Sequence, residues 1–313
     1  VGVGDFSKIS NPHEKILKKI LIILPSLLIH NHKEFFMRSL HVAVAQVHSV
    51  SGDPGANLAR MERQIASAAA VGVDVILFAE TVVHSYEFSE ENKAFAEPVG
   101  GPLTTQIAQW ARQYGITVLA GFIEKDGDNL HNSHVVAQPD GTLAAQRKHN
   151  MTPIELKGGL SAGPRERTVF EFNGVRTAII ICADSGMDGL YDMLEELRIE
   201  FRFHPCAGGD HIHDKPIPYL RHEELFTEEG QALAAEYRNY VCLHDAFVKE
   251  GRRPLAFAAA NALGFDGKKM HHMGHCLIAD TFGTLRAQIP GTLIIEHQQD
   301  QMVHSVIHFP DAE

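Results

Sequence analysis

From residue 41 onward the chain alternates between two apolar periods. The run HVAVAQV (41–47) is β-rich, and Leu58, Met61, Ile65 and Ala68 then recur at helical spacing. DVILFAE (74–80) is a continuous apolar run of strand length, as expected of a strand buried on both faces. Leu103, Ile107, Trp110 and Tyr114 mark a second amphipathic helix, with Gly115 placed to end it, and ITVLAGF (116–122) is the next strand. The period then changes. Residues 132–148 predict two strands around a Pro-Asp-Gly turn, and 169–182 a second hairpin around Asn173-Gly174. A helix is expected over 187–198, a strand over 200–205 and a long helix over 220–238. YVCLHDAF, LAFAAAN and HCLIAD follow, then a turn at 281–284 and a last strand near 302–308. No linker and no internal repeat is visible. One mixed α/β domain with several hairpins fits better than two Rossmann halves.

The first 36 residues stand apart. LKKILIILPSLLIH is an apolar run behind two lysines, but Pro25 interrupts it and no small-residue cleavage site follows. The run is too short to cross a bilayer. Met37 is followed by RSLHVAVAQ, which reads as a natural start. Residues 1–36 are therefore expected to be an N-terminal extension, with a targeting segment as the alternative, ahead of one domain over 37–313.

Composition narrows the class. The 313 residues are 44% hydrophobic and 21% charged, which excludes a disordered or fibrous chain. Asp and Glu number 39 against 28 Lys and Arg, a formal charge of -11. That balance argues against nucleic acid as a partner and leaves a small molecule as the expected one. Cys182, Cys206, Cys242 and Cys276 are widely spaced and form no disulfide framework, which points to a reducing, cytoplasmic compartment.

Cys182 ends the hydrophobic strand AIIIC and is followed by Ala-Asp-Ser-Gly. A nucleophile on a tight turn after a strand is well presented, and free backbone N–H groups there can bind an oxyanion. A lone cysteine at a strand end is more often a buried, inert one. Two other strand ends alter that balance. Glu80 closes DVILFAE and Lys148 closes the strand after the Pro-Asp-Gly turn. A charge at the end of an apolar strand is costly unless paired, and such ends converge on one crevice in α/β sheets.

With these residues in view, the chain from about 40 to 310 resembles the nitrilase (carbon–nitrogen hydrolase) superfamily, which is marked by a Glu–Lys–Cys triad in this order. HVAVAQVHSVSGDPGANLARM is similar to its opening strand and helix, LFAET with Tyr86 to the glutamate motif, and LHNSHVVAQPDGTLAAQRKHNMTPIE to the lysine motif. AIIICAD resembles the cysteine motif, and AEYRNYV, AAAN and GHCLIADTFGTL the later elements. The resemblance implies a four-layer α-β-β-α sandwich with mixed sheets, paired into homodimers or larger homo-oligomers. It implies Cys182 as nucleophile, Glu80 as general base and acid, and Lys148 with the N–H of Ala183 as oxyanion donors. It carries a supporting glutamate onto Glu155, and Tyr86, Asp184 and His204 are taken as substrate-binding. The sequence departs from the family where Ala183-Asp184 follows the cysteine. True nitrilases usually carry Trp-Glu there and many amidases Tyr-Asp, so Asp184 is amidase-like while Ala183 removes a bulky pocket wall.

The chain is rich in histidine, 20 in all. His204, Cys206, His211 and His213 form one cluster, and His271, His272, His275 and Cys276 another. Neither has a standard zinc spacing, so solvated loop histidines are expected, with no metal and no cofactor. His149, beside Lys148, reads as an exposed neighbour. The resulting expectation is a cysteine amidohydrolase that cleaves a linear amide or carbamoyl compound through a thioester and releases ammonia. The alternatives are a nitrile hydrolase or acyltransferase of the same superfamily, and a non-catalytic or metal-binding member.

Overall fold

The computed structural model describes residues 38–208, 223, 227–229, 255–268, 270–292 and 297–310. The extension over 1–36 and the apolar run YVCLHDAF lie outside the described residues, as does nearly all of the helix expected over 220–238. Arg38–Phe309 make one compact unit. None of the described helices is long and apolar enough to cross a membrane.

The first half of the chain folds largely as its periodicity predicts, although the strand expected over 74–80 is limited to Val75–Leu77. Strand β1 (Arg38–Gln46) leads into helix α1 (Pro54–Ala70), which opens where the Asp53 side chain accepts the Ala56 N–H and Pro54 takes the first turn. Strand β2 (Val75–Leu77), the short helix α2 (Glu90–Lys93) and helix α3 (Pro102–Tyr114) follow. Gly115 ends α3 at φ +66°, a left-handed conformation that only glycine adopts freely. Strands β3 (Thr117–Asp126), β4 (Asn129–Ala137) and β5 (Leu143–Arg147) complete the run, β4 and β5 forming the expected hairpin. A short helix α4 (Pro153–Lys157) comes next.

Strands β6 (Phe170–Phe172) and β7 (Val175–Ile179) form the second hairpin, with Asn173 and Gly174 both at positive φ. After a 3-10 turn (Cys182–Gly186) and helix α5 (Leu190–Glu196) come β8 (Phe201–Cys206) and β9 (Ala256–Asn261). Strands β10 (Leu263–Phe265) and β11 (His271–Met273) pair as a separate ribbon that the apolar pattern did not reveal. Each has only three residues, too few to show a period. Strands β12 (Cys276–Ala279), β13 (Leu285–Ile289) and β14 (Gln301–Phe309) finish the fold.

The strands make two six-stranded sheets, ordered β14-β1-β2-β3-β4-β5 and β13-β12-β9-β8-β7-β6. Both follow one plan: three parallel strands at the centre, antiparallel ones outside. Leu40, Val42, Val44, Leu77 and Leu119 of the first sheet pack against Ile179, Ile181, Phe201, Phe203 and Ala258 of the second. The outer face of the first sheet is covered by α1 and α3 through Met61, Ile65, Ile107 and Trp110. The outer face of the second meets α5 through Leu190 and Leu194. This is the expected α-β-β-α sandwich of mixed sheets.

One close approach sets the position of Glu80. A Cβ built on Gly121 of β3 would fall 2.0 Å from the Thr81 nitrogen and 2.7 Å from the Glu80 carbonyl carbon. These are backbone atoms and cannot swing aside. Gly121→Ala is therefore expected to displace the Glu80 turn, with a stability loss of at least about 1–3 kcal/mol. Urea unfolding of the variant beside the parent protein measures it. An unchanged midpoint would show that the turn yields freely.

Candidate active site

Glu80 lies three residues beyond β2, Lys148 directly after β5, and Cys182 three residues beyond β7. The three strand ends do converge, but not along one sheet. Glu80 and Lys148 come from the first sheet and Cys182 from the second, so the site lies where the C-terminal ends of two packed sheets face each other. Two of its turns are strained. Cys182 has φ +44° and Thr81, next to Glu80, has φ +49°. Such conformations cost roughly 1–3 kcal/mol each and persist only when the surroundings enforce them.

The centre of the site is a buried ion cluster. The Lys148 Nζ donates to Glu80 Oε1 at 2.7 Å and to both oxygens of Glu155, at 2.9 and 3.0 Å. All three side chains are inaccessible to solvent. Asn132 Nδ2 bridges the same two acids, 2.7 Å from Glu80 Oε1 and 2.5 Å from Glu155 Oε1. Glu155 is fixed by a capping box on α4: Thr152 Oγ1 accepts its N–H, and its Oε2 accepts the Thr152 N–H at 2.7 Å. Glu80 Oε2 is buried and, among the described residues, has no hydrogen-bond partner.

Burial pushes the Glu80 carboxyl well above the usual range, and the neighbouring Cys182 raises it further, against the pull of Lys148. Burial also opposes the Lys148 charge, but the acids around it, Glu80 foremost, hold the ammonium protonated well above its ordinary range. The Cys182 thiol is lowered to about 6. A hydrogen bond from Cys206 is the largest cause, and Lys148 and the Ala207 N–H act in the same direction, against burial. One cation thus faces several groups that seek a negative charge, and one proton is left for Glu80 and Cys182 to share. That arrangement can generate a thiolate and return its proton later.

The remaining expected residues fall in different places. Ala183 follows Cys182 on the 3-10 turn, where the first N–H groups have no partner within the turn. The Tyr86 ring lies 5.8 Å from Lys148 Nζ, and its hydroxyl is 2.8 Å from Thr152 Oγ1. Both oxygens of Asp184 are bound within the protein. Its Oδ1 accepts the N–H groups of His149 and Asn150, and its Oδ2 accepts Arg167 at 2.9 Å, in an ion pair with no solvent access. It ties the turn after Lys148 to the turn after Cys182. His204 is likewise an interior residue, its Nδ1 bonded to the Ile180 carbonyl and its pKa pushed down to about 3 by burial. His149 is partly buried and bonded through Nδ1 to the Gly163 carbonyl.

Sequence reasoning missed Asn132, Arg167 and the proximity of Cys206. Asn132 offered little signal, because β4 (NLHNSHVVA) carries other polar residues around it. Arg167 offered none. Among the described residues no group of three or more His, Cys, Asp or Glu is placed to hold a metal ion. His272 and His275 are drawn into hydrogen bonds near Gly208 and Gln288, whereas His211 and His213 lie outside the described residues.

Comparison with known proteins places this geometry in a family. The model of the carbon–nitrogen hydrolases matches residues 41–294. The chain belongs to the carbon–nitrogen hydrolase family. It is 30% identical over 145 residues to an (R)-stereoselective amidase from Pseudomonas sp., over 46% of this chain and 52% of that one. It is 30% identical over 146 residues to a nitrilase from Pyrococcus abyssi, over 46% of this chain and 55% of that one. The chain thus spans about half the length of these curated relatives. A carbon–nitrogen hydrolase superfamily protein from Xanthomonas campestris superposes with a TM-score of 0.66 at 20% identity, over 87% of this chain and 91% of that one. An amidase from Nesterenkonia sp. does so with 0.62 at 16%, over 87% and 90%. The two solved structures share the sandwich fold.

Two measurements check this arrangement. Arg167→Met leaves the buried Asp184 charge without its cation and is expected to cost about 3–5 kcal/mol in urea unfolding. Near-parent stability would mean that the two amides suffice for Asp184. The rate of Cys182 alkylation by iodoacetamide should rise through a midpoint near pH 6, because a depressed pKa leaves thiolate above that value. Lys148→Ala should move the midpoint upward toward that of a free thiol, about 8.5. A midpoint already there in the parent protein would refute the charge analysis.

Proposed function

We propose that the protein is a cysteine amidohydrolase that cleaves a linear amide or carbamoyl compound through a thioester and releases ammonia. The observation that carries this reading is the state of Glu80. One carboxylate oxygen is held by Lys148 and Asn132, and the other is buried and unpaired beside the nucleophile. A base so placed takes the Cys182 proton as the thiolate attacks the carbonyl carbon. Lys148 Nζ and the Ala183 N–H stabilise the oxyanion of the tetrahedral adduct. Collapse of the adduct breaks the C–N bond, and Glu80 returns the proton to the departing nitrogen. Glu80 then takes a proton from water, the resulting hydroxide attacks the thioester, and the acid leaves as the thiol is restored. Glu155 and Asn132 position Lys148 and Glu80 throughout.

Three facts support an amide over a nitrile. Asp184 follows the amidase pattern, the Pseudomonas relative is an amidase, and a mutant of an amidase from Nesterenkonia sp. shows covalent addition of the acetamide moiety of fluoroacetamide at its active-site cysteine. The Pyrococcus abyssi relative favours nitrile hydrolysis as the second reading.

The test is an ammonia assay over a panel of amides, carbamoyl compounds and nitriles, with hydroxylamine present. Amides are expected to yield ammonia and hydroxamate, since hydroxylamine competes with water for the thioester. Consumption of nitriles alone would transfer the assignment to the second reading. On the amide turned over, Lys148→Ala should cost about 3–4 kcal/mol of transition-state stabilisation, the typical value of one oxyanion donor. Near-parent kcat in that variant would remove Lys148 from the role.

A further inference from the structure

Cys206 takes no part in the steps above, yet it stands beside the nucleophile. Strands β7 and β8 are parallel, with Thr177 opposite Phe201, Ala178 opposite Arg202 and Ile179 opposite Phe203. The Ile180 N–H donates to the Phe203 carbonyl at 2.8 Å and carries the ladder one residue further. There the ladder ends, since Pro205 has no N–H and Cys182 turns away at φ +44°, and the end of β8 at Cys206 is left beside the turn that carries Cys182. Neighbouring strand backbones lie about 4.8 Å apart. That separation lies within the Cα span of roughly 4.4–6.8 Å that a disulfide requires.

Hydrogen bonding and charge from the neighbouring Cys182 raise the Cys206 thiol well above its usual range, and Cys206 Sγ lies 3.8 Å from the His204 carbonyl oxygen. The Cys206 carbonyl accepts the Glu80 N–H at 3.3 Å, so the second thiol is tied into the same cluster. Cys206 is 3% exposed, whereas Cys182 is only partly buried and is the one a small oxidant reaches first. Cys276 lies on β12, separated from β8 by β9.

We propose that Cys182 and Cys206 form a reversible disulfide when the protein meets a peroxide, a modification that closes the nucleophile and shields it from irreversible oxidation. The Cys182 thiolate attacks one peroxide oxygen and the O–O bond breaks. Sulfenic acid forms on Cys182, and the displaced oxygen takes a proton and leaves as water or alcohol. The Cys206 sulfur then attacks the Cys182 sulfur and the S–O bond breaks. The hydroxide set free takes the Cys206 proton and leaves as water. The two sulfurs together lose two electrons, which the peroxide receives. A dithiol reductant supplies them again and restores both thiols.

The inference needs only a reactive Cys182 thiolate and stands apart from the choice of substrate, so its test reads covalent mass rather than turnover. The full-length protein is treated with hydrogen peroxide, the remaining thiols are blocked, and the digest is mapped without reduction. A Cys182–Cys206 cross-linked peptide, lighter by two hydrogens than the two peptides together, is expected, and dithiothreitol should return both thiols. In Cys206→Ala and Cys206→Ser the same treatment should drive Cys182 to sulfinic acid, which dithiothreitol does not reverse. The proposal is overturned if Cys182 in the parent protein becomes sulfinic acid while Cys206 stays alkylatable. It is equally overturned if Cys206 pairs with Cys242 or Cys276, or if both variants recover their Cys182 thiol as fully as the parent.

Discussion

A single buried ammonium governs the site. Lys148 has no access to solvent and lies between two carboxylates that are equally buried. An ion in such a place is tolerable only if it is paired and hydrogen-bonded. One positive charge cannot neutralise Glu80, Glu155 and a thiolate together, so a proton must remain in the cluster. Asn132 and the capping box at Thr152 occupy the oxygens of Glu155 and one oxygen of Glu80. What is left is the second oxygen of Glu80 and the sulfur of Cys182. The reactivity proposed for the protein follows from that shortage of positive charge.

The fold supplies this cluster by bringing two similar halves together. Each sheet has three parallel strands at its centre, and the chain emerges from their C-terminal ends. The first sheet delivers the acid and the ammonium, the second the sulfur. Neither sheet alone contains the chemistry. Packing them face to face also excludes water, which strengthens every electrostatic interaction between the groups that meet there. The Arg167–Asp184 pair is a second buried ion pair and serves this join. It locks the turn that follows Lys148 to the turn that carries Cys182.

The sequence by itself determined most of the elements and singled out three residues that the fold brings together. Strands, helices and both hairpins follow from periods of two and 3.6 residues and from turn residues such as Asn173-Gly174, because these are local matters of backbone geometry and burial. Glu80, Lys148 and Cys182 were legible because a charge or thiol at the end of an apolar run breaks the pattern. The tertiary structure alone decided how the polar groups pair. Asn132 reaches Glu80 from 52 positions away, Lys148 reaches it from 68, and Arg167 meets Asp184 across the base of a hairpin. Such bonds depend on which strand ends face one another and leave no periodic trace. For the same reason the bonds of Asp184 to Arg167 and of His204 to the Ile180 carbonyl were not visible in the sequence, nor was the place of Cys206 beside the turn that carries Cys182. A hydrophobic residue needs only to be buried, whereas a polar one must find a particular partner, and only the folded chain specifies which.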